Sequence, residues 1–166
     1  MKDKGVLQDV VFLLAKIAIF AGIIFVMFGF IFGIQRVTGM EMAPAFKDGD
    51  LAVYYRLQET FHPNDAVVME RDGEKSVRRI IAMPGDVVDI TADGLMINGY
   101  IQQEPNIYTE TLPFKDGIKF PLTLQEDEYF VLGDDRTSAK DSRIYGVIHR
   151  KDIKGLVMTL IRRRGF

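Results

Sequence analysis

Cysteine is absent, so neither a disulfide nor a thiolate metal site can form. Histidine is nearly absent. His62 and His149 are the only two and lie far apart in sequence, which argues against a histidine-rich zinc site. Neither sign of charge dominates, the net being -2, and the basic surplus that accompanies nucleic-acid binding is missing. There is no internal repeat and no low-complexity linker. No metal, cofactor or nucleic acid is therefore expected. What is present is an ordinary apolar share, 48%, in 166 residues, enough for one modest domain plus an appendage.

The appendage comes first. From Val10 to Ile34 the chain is apolar except for Lys16, and from Ile17 onward that stretch carries no charge. Eighteen such residues span roughly 27 Å as a helix, close to the hydrocarbon thickness of a bilayer. A core helix would keep a polar stripe, and a cleaved signal peptide would have a shorter apolar region, roughly 7 to 15 residues. Ala43-Pro44-Ala45 has the small-x-small pattern of a cleavage site, but it lies well past Ile34 and holds proline at its centre. The expectation is an uncleaved anchor over residues 10–35. Lys2, Lys4 and Lys16 before or within it, against Arg36 after it, place residues 1–9 in the cytoplasm and residues 36–166 outside.

Beyond the anchor the period changes. Short β-branched and aromatic runs alternate with turn residues. Leu51–Tyr55 follows Asp48-Gly49-Asp50, Ala66–Met69 follows Pro63-Asn64-Asp65, and Val77–Met83 ends at Pro84-Gly85-Asp86. Val87–Ile90, Leu95–Ile97 before the hairpin signal Asn98-Gly99, Tyr129–Leu132 and Val157–Ile161 complete the set. Such a pattern predicts a mainly β domain, with residues 101–128 as the longest loop. The basic end Arg162-Arg163-Arg164 reads as a solvated tail or a contact for phosphate head groups.

Three stretches carry chemical information. They are Gly39-Met40-Glu41-Met42-Ala43-Pro44 with Gly49-Asp50, Val77-Arg78-Arg79-Ile80 leading to Pro84-Gly85-Asp86, and Gly133-Asp134-Asp135-Arg136 leading to Asp141-Ser142-Arg143. In this order, after an anchor, they resemble the type I signal peptidases, membrane-bound serine proteases that remove signal peptides outside the cytoplasmic membrane. The resemblance implies two coiled antiparallel β-sheets on the outer membrane surface. It also implies a peptide cleft with Gly39, Met40, Met42, Pro44, Val77 and Ile80 as candidates. Arg79, Asp134, Asp141, Ser142 and Arg143 are its structural residues, with Asp141 pairing with Arg79 or Arg143. Met40, Met42 and Phe46 could equally meet lipid, line the groove or pack in the core.

The departures fall on the chemistry. Glu41 stands where the family has its serine nucleophile, Arg78 where it has its lysine base, and Ala139 where it has a second serine. Arginine stays protonated far above neutral pH, and a carboxylate is a weak nucleophile towards an amide, so Ser–Lys attack is closed. In the family the two positions touch, so Glu41 and Arg78 are expected to form a bidentate ion pair. Two substitutes are weighed and set aside. Lys75-Ser76 reads as turn chemistry, because strand neighbours face opposite ways, and Ser138 with Lys140 reads as loop solvation. Asp134, Asp135 and Asp141 read as structural rather than as a metal cluster.

The chain further resembles the signal-peptidase-like proteins of Gram-positive pilus gene clusters, which lack the dyad. On that resemblance it is expected not to be an enzyme. It would instead be a cell-membrane protein that binds exported polypeptide as a pilin chaperone or assembly factor, with pilin subunits, a sortase or a signal peptidase as partners. The alternatives are a signal peptidase with an altered mechanism, or a regulatory partner of a true one.

Overall fold

The computed structural model describes residues 3–162, with side chains from residue 5. The Lys2 charge, the Lys4 side chain and the Arg163-Arg164 end lie outside the described residues. A single helix, α1 (Asp3–Val26), opens the chain and passes through one π-helical turn, Met27–Ile31, into strand β1 (Phe32–Arg36). Gly5–Ile31 is long and apolar enough to cross a membrane, with a mean hydropathy of 2.8, and its apolar window is not buried against the rest of the protein. The helix stops earlier than the apolar run suggests. Phe32, Gly33 and Ile34 have strand partners in Tyr55, Tyr54 and Val53 instead. Gly33 permits this: a Cβ there would lie 2.2 Å from the Tyr54 ring.

The remaining strands are β2 (Leu51–Tyr55), β3 (Ala66–Arg71), β4 (Glu74–Ala82), β5 (Val87–Thr91), β6 (Gly94–Ile97), β7 (Tyr100–Ile101), β8 (Leu122–Thr123), β9 (Glu128–Leu132), β10 (Ile148–His149) and β11 (Ile153–Ile161), with a one-turn helix α2 (Ser142–Tyr145) before β10. Seven form one antiparallel sheet in the order β1-β2-β11-β3-β4-β9-β10, and four form another in the order β7-β6-β5-β8. The mainly β expectation is met. Asn98-Gly99 joins β6 to β7 with both residues at positive φ, as a tight hairpin requires, and Asp72-Gly73 does the same between β3 and β4. Lys75 and Ser76 therefore belong to β4, just past the turn rather than within it.

Three apolar clusters hold these layers together. Phe61, Val67, Met69, Ile80, Val131 and Ile153 fill one face of the large sheet. Ile81, Ala82, Phe130 and Leu132 from β4 and β9 meet Val88, Ile90 and Leu95 from the small sheet. The third cluster fixes the first motif: Val37, Met42 and Phe46 pack on Ala52, Tyr54, Val68 and Val77. Residues 102–121 contain no strand and are held by buried arginines. Arg136 donates to Thr111 Oγ1 at 2.5 Å and pairs with Glu104 at 2.7 Å, while Arg143 donates to the Leu112 carbonyl and lies over the Phe114 ring.

Candidate active site

Successive side chains of a strand point to opposite faces, and β4 uses this at Arg78 and Arg79. Arg78 faces a cleft of about 420 Å³ that is also lined by Val37, Glu41, Met42, Val77 and Tyr145. Arg79 faces the other way, into a second cavity of about 570 Å³ that also meets Pro44, Asp134 and Arg136.

Glu41 and Arg78 form the expected ion pair, with Arg78 Nη2 donating to Glu41 Oε2. The pair is not bidentate. Arg78 spends its other donors on the Lys140 carbonyl, from Nε at 3.1 Å and Nη2 at 2.9 Å, and on the Val77 carbonyl, from Nη1 at 2.6 Å. The second oxygen of Glu41 accepts the Lys140 backbone N–H at 3.0 Å. Three chain segments thus converge on one guanidinium. The Arg78 side chain is 6% exposed and that of Glu41 is 28%, so the carboxylate alone retains contact with solvent.

The backbone of Glu41 is seated by the third motif. Its carbonyl accepts the Asp135 N–H at 3.0 Å and lies against Gly133, where a Cβ would come within 2.6 Å of it and within 2.3 Å of the Ala139 methyl. Only glycine fits between those two neighbours. Ala139 is fully buried. On the other side of the loop, Gly39 takes a positive φ of 75° and donates its N–H to Asp48 Oδ1 at 2.9 Å.

The structural residues pair as their chemistry suggests. Arg79 and Asp134 form a two-point bridge at 2.7 and 2.5 Å. That hydrogen bond raises the Arg79 pKa, against the opposing effect of burial. Asp141 pairs with Arg143 at 2.8 Å, both almost fully buried, and also accepts the N–H groups of Gly133 and Arg143. Ser142 Oγ accepts the Val131 N–H at 3.0 Å. The Asp135 carboxylate is held below its ordinary pKa by the hydroxyls of Ser138 and then Thr137, so Ser138 supports its own loop.

Of the six cleft candidates, Met42 and Val77 line the cleft and Gly39 and Met40 belong to the loop leading to Glu41. Pro44 lines the second cavity, and Ile80, on the same face of β4 as Arg78, is fully buried beyond the cleft among Phe61, Val67 and Met69. Met40 is half exposed, whereas Met42 and Phe46 pack in the core cluster. Lys140 and Tyr145 have roles that the sequence reading missed, although it had weighed Lys140 as loop solvation. Lys140 acts through its backbone, which no residue pattern reveals. Tyr145 lies beneath Arg71, whose guanidinium is 4.4 Å from the ring centre, and donates its hydroxyl to Met69 Sδ at 3.6 Å. Burial, with Asp141 adding to it and Arg78 and Arg71 opposing, pushes the Tyr145 pKa up to about 12.

The structure in outline is an apolar helix long enough to cross a membrane running into a β domain with a cleft along one strand. The chain belongs to the signal peptidase family, peptidase S26, whose signature matches residues 10–161. It is 32% identical to signal peptidase I of Bacillus amyloliquefaciens, over 93% of this chain and 89% of that one. Identity to signal peptidase I of Bacillus licheniformis is 34%, over 76% and 74%, and to signal peptidase IB of Staphylococcus aureus (strain COL) 31%, over 86% and 84%. A crystal structure of a signal peptidase I from Enterococcus faecalis V583 superposes with a TM-score of 0.50 at 26% identity, covering 60% of this chain and 98% of that one.

These relatives correct one expectation. The reading that the chain is not an enzyme does not stand, because the proteins it matches over three quarters or more of its length are themselves named as peptidases. That reading rested on closing serine attack with lysine as base and on setting the weighed substitutes aside. Closing that route does not by itself remove a chain from the peptidases.

Proposed function

We propose that the chain takes the signal-peptide region of exported polypeptides into the cleft beside Glu41 and Arg78, and that scission there runs through a changed centre. The observation that carries this is a free strand edge. β4 pairs with β3 from Glu74 to Arg79 but with β9 only from Arg79 onward. The edge of residues 74–78 is therefore open along the cleft, where an extended peptide can add as a further strand. An incoming strand must compete for the Val77 carbonyl, which Arg78 Nη1 already holds. The apolar helix and the family support a membrane location; on the charge argument alone, residues 1–9 are cytoplasmic, the anchor lies within 10–35 and the β domain is outside.

The chemistry open to this pair is general-base attack by water. Glu41 takes a proton as water adds to the peptide carbonyl, Arg78 stabilises the oxyanion, and protonated Glu41 returns the proton to the departing amine. Each oxygen of Glu41 accepts one hydrogen bond at rest and the carboxylate is partly exposed, which leaves a lone pair for the attacking water. Of the narrower partners, pilin subunits, a sortase or a signal peptidase, no feature of the cleft selects one. Recovery from membranes identifies the partner.

The test uses the full chain in detergent, a photo-crosslinker at position 38, which is exposed at the cleft, and a precursor bearing its signal peptide. Adduct formation with a product lost on Glu41→Gln supports both halves of the proposal. Adduct without product limits the role to holding the peptide, and absence of adduct removes the cleft reading.

A further inference from the structure

The cleft is strongly charged and unevenly so. Its cations are Arg36, Arg71, Lys75, Arg78 and Lys140, against the acids Glu41, Asp72 and Glu74. Most of the cations are already engaged: Arg78 with Glu41, Arg71 with Asp72 at 3.4 Å, and Lys75 with Glu70 at 3.9 Å. Two are left over. Among the described residues, the Arg36 and Lys140 side chains have no carboxylate within ion-pair distance, and both are exposed. Arg36 ends β1, while Lys140 belongs to the loop whose backbone holds Glu41, so they reach the cleft from different parts of the fold. Between them the floor already seats a carboxylate, that of Glu41, on a guanidinium and a backbone N–H. The apolar lining is confined to Val37, Met42, Met69 and Val77. A groove with a short apolar floor and unpaired cations on two segments is matched by a peptide with an apolar residue for the floor and a carboxylate beside it.

We infer that the cleft selects extended peptides carrying a carboxylate next to the apolar residue that meets its floor, with Arg36 and Lys140 as its readers. This rests on the cleft being the peptide site proposed above. The carboxylate can come from an Asp or Glu side chain or from a free C-terminus, the latter being what hydrolysis of a peptide bond leaves behind.

The experiment measures binding of labelled decapeptides to the full chain in detergent. One peptide carries two Glu residues and an amidated C-terminus, one has Gln at both positions and the same amide, and one has Gln with a free C-terminus. The Glu peptide is expected to bind roughly threefold to tenfold more tightly than the amidated Gln peptide at low salt, as two exposed ion pairs allow. The advantage shrinks as sodium chloride screens it. The Arg36→Gln/Lys140→Gln double variant is expected to erase it while leaving binding of the Gln peptide unchanged. Both substitutions are at exposed side chains, and Lys140→Gln retains the backbone N–H to Glu41. Tighter binding by the free C-terminus alone identifies the terminal carboxylate as the source. Equal binding of all three peptides, or an advantage that survives the double variant, overturns the inference and leaves the peptide cleft intact. Failure of every peptide to bind overturns the cleft reading, and the inference with it.

Discussion

The Glu41 carboxylate accepts the backbone N–H of Lys140, a residue 99 positions away, at 3.0 Å. With Arg78 giving two bonds to the Lys140 carbonyl, the peptide units on either side of Lys140 are held by the first and second motifs respectively. Removing Glu41 leaves a nearly buried guanidinium without its counter-charge. Glu41→Ala is expected to lower stability by about 1–3 kcal/mol, less than for a fully buried pair because the carboxylate is partly wet. Glu41→Gln should cost less, since its amide oxygen can still accept from Lys140. Urea unfolding of the full chain in detergent measures both, and a Glu41→Ala protein as stable as the parent would show that this clasp contributes nothing.

The triple variant Glu41→Ser/Arg78→Lys/Ala139→Ser reinstates the family's serine, lysine and second hydroxyl on an otherwise unchanged frame. Reacting groups of this kind act as a unit, so the gain requires both the nucleophile and its base. Cleavage of a signal-peptide precursor is expected to rise by roughly a thousandfold over the parent. Mass spectrometry of the products reads the rate and the bond cut. A folded triple variant no faster than the parent means that the cleft around these positions has diverged from the family's as well.

Tyr145 makes stability sensitive to alkali. Its pKa in the folded chain is pushed up to about 12, while in the unfolded chain it titrates near 10. The unfolded state therefore loses this proton first. The contribution is fully present below about pH 10 and is lost as pH climbs towards 12. Tyr145→Phe removes the titrating group, so the difference between parent and variant in unfolding midpoint is expected to narrow across that window. A difference that stays constant from pH 9 to 12 contradicts the assignment.

Asp141 supports more than its ion pair. It also accepts the N–H of Gly133, the glycine against which Glu41 rests. Asp141→Asn strands the Arg143 charge in the interior and is expected to cost roughly 3–5 kcal/mol. Because Arg143 also holds Leu112 and Phe114, the 102–121 segment should become open to protease before the sheets do. Limited proteolysis followed by mass spectrometry locates the first cuts.

Much of this was legible in the sequence. The apolar helix, the succession of strands and the Asn98-Gly99 hairpin follow from periodicity and turn chemistry, and three ordered motifs brought the family into view. The Glu41–Arg78 contact was also readable, because two positions that touch in the family now carry opposite charges. Its true geometry was not. The guanidinium divides itself among Val77, Lys140 and Glu41, and two of those partners are backbone carbonyls that carry no residue signature. The end of α1 was hidden for a related reason: Phe32 and Ile34 are as apolar as the helix before them, and only pairing with β2 marks them as strand. Whether the chain cuts peptides depends on what else the centre can do once the serine route is closed, a matter that residue types alone decide poorly.

The passage from α1 through a single π turn into β1 contains no slack. With the helix in a bilayer, the five residues of β1 rise by about 17 Å at most, so the height of the cleft above the lipid is a fixed length. Such a protein works as a gauge. If the cleft holds exported polypeptide as proposed, it reaches only a segment still within that height of the membrane, which would set when in export, as well as where, it acts.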